Sequence, residues 1–132
     1  MEFSLSTDQR YQLIDITGKV EKAVTKGNVK DGFCLIFVPH STAAIILTEN
    51  EPGLKRDWVK IMKKLIQNEE FEHDRIDNNA DSHLLSGLLG QSKALPIEKG
   101  QILRGIWQQI FLVELDGPRT RKIIIKTIGS NK

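Results

Sequence analysis

Apolar residues in this chain follow two patterns: continuous runs short enough to be strands, and stripes at helical spacing. Phe33-Cys34-Leu35-Ile36-Phe37-Val38 is a continuous run whose length fits a strand buried on both faces. Residues 43–48 form a second run, and only residues 39–42 lie between them, so an antiparallel pair is expected. Upstream, Leu5 and residues 11–16 read as two strands of a first hairpin, with Thr7-Asp8-Gln9 as its turn. Thr17 then offers a cap to a short helix that carries Val20, Ala23 and Val24 on one face and stops near Gly27.

Pro52 suits the first turn of a longer helix over residues 54–67. Leu54, Trp58, Ile61 and Leu65 give it an apolar stripe, while Lys55, Arg56, Lys60, Lys63 and Lys64 read as its solvated face. Residues 68–81 are polar and lack a period, which predicts a long loop of the kind that often carries function. Residues 82–89 suit a short helix with Leu84, Leu85, Leu88 and Leu89 buried and Gly90 at its end. The remaining third reads as sheet: residues 94–97, a turn at Glu98-Lys99-Gly100, a long strand over 106–115, a turn at Asp116-Gly117-Pro118, and a strand over 120–128. The order is β-β-α-β-β-α-β-β-β, with room for one extra helix. Strands grouped in hairpins favour an α+β domain with an antiparallel-rich sheet over a doubly wound α/β fold.

Length and composition narrow the class. The chain has 132 residues, enough for one domain, 1–132, with its own core. A net charge of +2, from 19 basic and 17 acidic residues, argues against a nucleic-acid surface. The one cysteine excludes a disulfide framework within the chain and fits a reducing compartment. Cys34, inside an apolar run, reads as a buried inert thiol. The N-terminus lacks the flank and apolar region of a signal peptide, and no apolar run approaches the about 18 residues that cross a bilayer. A cytoplasmic protein with no membrane partner is expected.

Ionisable side chains at the edges of apolar runs mark the candidate chemistry. His40 follows Pro39 at the end of a strand, where an imidazole can serve as general base, metal ligand, phosphate donor or structural residue. Ser41 and Thr42 carry hydroxyls able to bind an anion or to form the turn. Glu49 shares the strand parity of Ile45 and Leu47, so it either points inward toward a partner or marks a helix start. On an extended backbone, Asp81 and His83 would face the same way and could share a metal or a proton; Asp81 could equally cap the helix that follows. His73 lies in the polar loop and reads as solvated. Arg119 and Arg121 would form a fork for phosphate or carboxylate, unless Arg119 pairs with Asp116 or Glu114 to lock the turn. Phosphate-loop, dinucleotide-fingerprint and nucleophile-elbow motifs are absent.

Taken in order, Pro39-His40-Ser41-Thr42-Ala43, Glu49-Asn50-Glu51, Asn79-Ala80-Asp81-Ser82-His83-Leu84, Gly90, Lys99-Gly100-Gln101, Gly105-x-Trp107-Gln108 and Glu114-x-Asp116-Gly117-Pro118-Arg119-x-Arg121 resemble the YjbQ family, also called the secondary thiamine-phosphate synthase family. The resemblance implies an α+β homotrimer with a weak transferase activity. That activity joins hydroxymethylpyrimidine diphosphate to thiazole phosphate and releases diphosphate. It also implies functional positions at His40, Thr42, Glu49, Asp81, His83, Gln108 and Arg121. In the site so expected, His40, Glu49, Asp81 and His83 are catalytic. Ser41, Thr42, Gln108, Arg119 and Arg121 hold a small phosphorylated substrate. His40, His83 and Asp81 can bind a divalent metal: the imidazoles suit zinc, while diphosphate chemistry suits magnesium. Two other functions compete: a metal-dependent hydrolase of a small phosphorylated or amide compound, and a non-enzymatic module that binds a small anion.

Overall fold

The computed structural model describes residues 1–130. Among them eight strands and three α-helices run in the order β1 (Glu2–Ser6), β2 (Gln12–Asp15), α1 (Thr17–Gly27), β3 (Asp31–Phe37), β4 (Ala43–Thr48), α2 (Pro52–Ile66), α3 (Ala80–Leu89), β5 (Ser92–Glu98), β6 (Gln101–Ile102), β7 (Gln109–Glu114) and β8 (Thr120–Gly129), with a 3-10 turn at Glu72–Arg75. The strands form two sheets, ordered β1-β8-β3-β5-β6 and β2-β7-β4, and every pairing is antiparallel. The α+β class and the antiparallel pairing agree with the sequence pattern.

The partners do not. β1 pairs with β8 and β2 with β7, so the expected first hairpin is two strands in different sheets. β3 pairs with β5 and β8, while β4 pairs with β7, so residues 39–42 cross between sheets instead of joining neighbours. The reason is the layering. One core lies between the sheets and includes Ile36 and Ile125 from the larger, Ile45, Ile110 and Leu112 from the smaller, and Val20 and Val24 from α1. A second lies between the smaller sheet and α2 with α3, and includes Ala44, Ile46, Met62, Leu85, Phe111 and Val113. The three-stranded sheet is thus covered on both faces, which is why β4 and β7 read as continuous apolar runs.

β3 was expected to be buried on both faces and is not. Cys34 and Ile36 point into the core at 0 %, while Phe33, Leu35 and Phe37 stand on the outer face at 41 %, 36 % and 38 % exposure. Smaller corrections follow from packing. α2 is turned so that Trp58, Val59, Met62 and Ile66 meet the core, leaving Ile61 and Leu65 exposed. Leu84 and Leu88 of α3 are likewise exposed. Residues 106–108 precede β7 as a turn, with Trp107 exposed. Glu51 caps α2, its carboxylate accepting the backbone N–H of Gly53 and Leu54. Thr17 does not cap α1: its Oγ1 accepts the N–H of Ile110, and the left-handed residue after the helix is Asn28. No helix among the described residues is long and apolar enough to cross a membrane.

Candidate functional site

The crossing between sheets builds the site. Residues 39–42 leave the larger sheet and enter the smaller one beside the start of β8. Glu114, at the end of β7, meets Arg121 of β8 across the gap between the sheets. Arg121 Nε donates to Glu114 Oε1 at 2.9 Å and Nη2 to Oε2 at 2.5 Å; both side chains are almost fully buried, at 3 % and 0 %. Nη2 also donates to the carbonyl and hydroxyl of Thr42, at 3.0 and 2.8 Å. Glu114 takes three further hydrogen bonds, from Thr7 Oγ1 and from the N–H groups of Leu115 and Asp116. Burial alone would push this carboxyl up, but Arg121 and the surrounding donors outweigh it and hold it below the usual range. It is therefore an ionised carboxylate with its partners satisfied.

Arg121 Nη1 donates to no described residue, and no buried side-chain nitrogen or oxygen among them lacks a partner. This nitrogen is therefore open. Its outlet is a cleft of about 340 Å³ lined by Pro39, His40, Ser41, Thr42, Asn79, His83, Asp116, Arg119 and Arg121. The segments from three distant parts of the chain do converge, and both imidazoles line the same cleft.

His40 has a defined orientation. β8 runs past the end of β3, whose register with it stops at Phe37↔Ile124. The Lys122 N–H beyond that point donates to His40 Nε2 at 3.0 Å. An imidazole whose Nε2 accepts a hydrogen bond carries its proton on Nδ1 when neutral. Desolvation and the nearby Arg121 lower the His40 pKa, which favours this neutral form. The ring thus presents an N–H donor, and its lone pair is already used.

A second network braces the opposite wall. Asn79 Nδ2 donates to Asp116 Oδ2, and Asn79 Oδ1 accepts from His73 Nε2, both at 2.9 Å. The His73 ring meets His83 edge-on, with centroids 4.9 Å apart. His73, expected to be solvated, is therefore part of the site's support. Arg119 Nε and Nη2 bind the carbonyl and carboxylate of Asp116, so Arg119 locks the turn and lines the cleft at once. Burial works against the Asp116 carboxylate, but Asn79 and Arg119 hold it below the ordinary range. The bond between Gly117 and Pro118 is cis. A Cβ on Gly117 would fall 2.1 Å from the Gln9 carbonyl oxygen, so only glycine fits there.

Three expected site residues lie elsewhere within the chain. Asp81 and His83 are on a helix, not a strand, so two positions turn them to opposite sides. Asp81 faces away, bound by Arg10 Nη2 at 2.9 and 3.2 Å and by the Tyr11 hydroxyl. Glu49 is exposed beyond the far end of β4, where Thr48 pairs with Gln109, whereas the cleft is at the Ala43↔Glu114 end. Gln108 sits at that far end too, its Oε1 accepting the Gly105 N–H at 2.6 Å. The metal set therefore does not fit: Asp81 is outside the cleft, the His40 lone pair is occupied, and no group of three His, Cys, Asp or Glu among the described residues could hold an ion. Glu114, Asp116, Asn79 and His73 were not expected as site residues: Glu114 and Asp116 were read only as alternative partners for Arg119, of which Asp116 is the one it takes. Glu114 had one legible signal, a charge at the end of the apolar run Phe111-Leu112-Val113.

The fold and cleft define a class: a small α+β protein with two stacked antiparallel sheets and a donor-rich pocket where the chain crosses between them. Residues 1–130 match the family model "UPF0047 protein YjbQ-like". A UPF0047 protein of Archaeoglobus fulgidus is 43% identical over 97% of this chain and all of its own length, and UPF0047 protein YugU of Bacillus subtilis is 34% identical over 95% and 96%. The crystal structure of a YbjQ-like protein of unknown function from Sulfolobus solfataricus P2 superimposes with a TM-score of 0.96 at 43% identity, covering 98% of this chain and 96% of that one. A hypothetical protein of Aeropyrum pernix K1 gives 0.95 at 35% identity, covering 98% of each. The chain belongs to the YjbQ-like UPF0047 family, whose activity these relatives' names leave undefined.

Proposed function

We propose that the His40 cleft binds the phosphate or diphosphate of a small organic substrate, and that the protein is a weak transferase of the thiamine-phosphate synthase type. The observation that carries this reading is the direction of the donors. His40 offers Nδ1–H because Nε2 is taken, and Arg121 offers Nη1–H because its other nitrogens are taken. The cleft holds one carboxylate, Asp116, already engaged by Asn79 and Arg119, against two guanidiniums and the His40 N–H, a balance that suits an anion better than an electrophile or a metal. In the proposed reaction the carbon–oxygen bond to diphosphate breaks and the leaving group takes the electron pair. The thiazole nitrogen then forms the new carbon–nitrogen bond. The cleft contributes by neutralising charge on the departing oxygens, not by abstracting a proton.

The test is product formation from hydroxymethylpyrimidine diphosphate and thiazole phosphate, alongside calorimetric titration with diphosphate alone. His40→Ala and Arg119→Ala should each lower turnover by about a hundredfold to a thousandfold, the range for losing one donor to a developing anion. Diphosphate binding in the wild type that neither variant weakens would dismiss the reading. Binding without turnover would leave an anion-binding module as the function.

We also propose a homotrimer. Phe33, Leu35, Phe37 and Ile128 expose an apolar patch on the outer face of the larger sheet, which a second copy can cover. Light scattering should give three times the 15.0 kDa chain mass. A mass of one chain would refute it.

A further inference from the structure

A cleft of about 840 Å³ lies apart from the one described above. It opens between α2 and the segment that leads into β2. Tyr11, Leu13, Val59 and Ile66 give it an apolar lining, and Lys55, Arg56 and Lys63 a cationic one. Lys55, Val59 and Lys63 are spaced four apart, so they share one face of α2. At about 1.5 Å per residue, the two lysines flank Val59 along about 12 Å of helix.

The charge in this cleft is not balanced by the protein. Asp81 is its one carboxylate, and Arg10 and Tyr11 already engage it. Lys55, Arg56 and Lys63 form no ion pair among the described residues. All three line the same cleft as the apolar side chains of Leu13, Val59 and Ile66.

We propose that this cleft is a second binding site, for a small amphipathic organic anion. Its aryl or alkyl body would lie against Leu13, Val59 and Ile66, and its phosphate or carboxylate would meet Lys55, Arg56 and Lys63. The volume falls within the few hundred to about 1,000 Å³ usual for small-molecule pockets. This site is independent of the His40 cleft.

The probe is 8-anilinonaphthalene-1-sulfonate, an aromatic anion, titrated calorimetrically into the intact protein and mapped by backbone amide shifts. The expected result is saturable binding at one dye per chain, with shifts centred on residues 11–13 and 55–66. The double variant Lys55→Glu/Lys63→Glu, altered only on the rim, should bind about tenfold or more weakly, and Lys55→Gln/Lys63→Gln by less. His40→Ala should bind unchanged, which separates this site from the anion cleft. Displacement by phenyl phosphate, by octanoate or by both supports the site and identifies the preferred head group. Shifts confined to the outer face of β3 and β8, undiminished binding in the glutamate variant, or displacement by neither competitor would overturn it.

Discussion

Replacing Arg121 by methionine tests whether the ion pair between the sheets is structural as well as functional. The substitution keeps the apolar stem and removes the guanidinium, so Glu114 loses Nε and Nη2 while remaining at 0 % exposure. Its bonds from Thr7 and two backbone N–H groups survive. Leaving one member of such a buried pair uncompensated costs about 3–5 kcal/mol. With a urea slope of about 2 kcal/mol per molar, the unfolding midpoint should fall by about 2 M at fixed protein concentration. The pH dependence should also reverse. In the wild type the Glu114 pKa is lowered, so its stabilisation is present above the ordinary carboxyl value of 4.5 and is lost as pH falls through the folded value. In Arg121→Met burial dominates and raises that pKa, so acidification below the raised value should relieve the damage. Glu114→Gln added to Arg121→Met should recover at least about 1 kcal/mol, because the amide oxygen can stay on the two backbone donors and no charge remains. An Arg121→Met midpoint within a few tenths molar of wild type, or a double variant no better than the single, would refute the argument. An alanine scan of the cleft that includes Arg121 would measure unfolding as much as binding, which is why Arg119 and His40 are the functional probes.

Three further outcomes are expected. The His40 ring, followed by NMR, should titrate below the ordinary histidine value of 6.5 and should lose its Nε2 bond to Lys122 on protonation; a titration above that value would contradict the assigned tautomer. Because its folded pKa is lowered, His40 favours the folded state above pH 6.5, and that contribution falls away on acidification through the folded value. Tyr11→Phe removes the hydroxyl bond to Asp81 while Arg10 stays on the carboxylate, so denaturation should show a loss of about 1 kcal/mol, and a loss above about 3 would mean that Arg10 is released as well. Protein treated with a chelator should bind phosphate in the His40 cleft as tightly as untreated protein; a loss restored by zinc would show that donors beyond one chain complete a metal centre.

The sequence by itself determined which segments are strands and helices and which fragments carry the chemistry. Short β-prone runs and amphipathic stripes are local properties, so the elements appear close to where the pattern places them. Pro39-His40-Ser41-Thr42, His83, Arg119 and Arg121 are chemically conspicuous, and the structure gathers them into one cleft. Only the tertiary structure decided which strands pair, because two short apolar runs separated by four residues can form a hairpin or cross between layers. Which of these wins depends on what covers their second faces. β4 is capped by α2 and α3, while β3 has helix on neither side of its outer face, and no local pattern records that difference. The same crossing decided the roles within the site. It buried Arg121 against Glu114, turned the His40 lone pair onto the backbone of β8, and left Asp81 on the far side of a helix from His83. Residue type fixes what a side chain can do. Its neighbours, brought together from distant parts of the chain, fix which of its atoms remain free to do it.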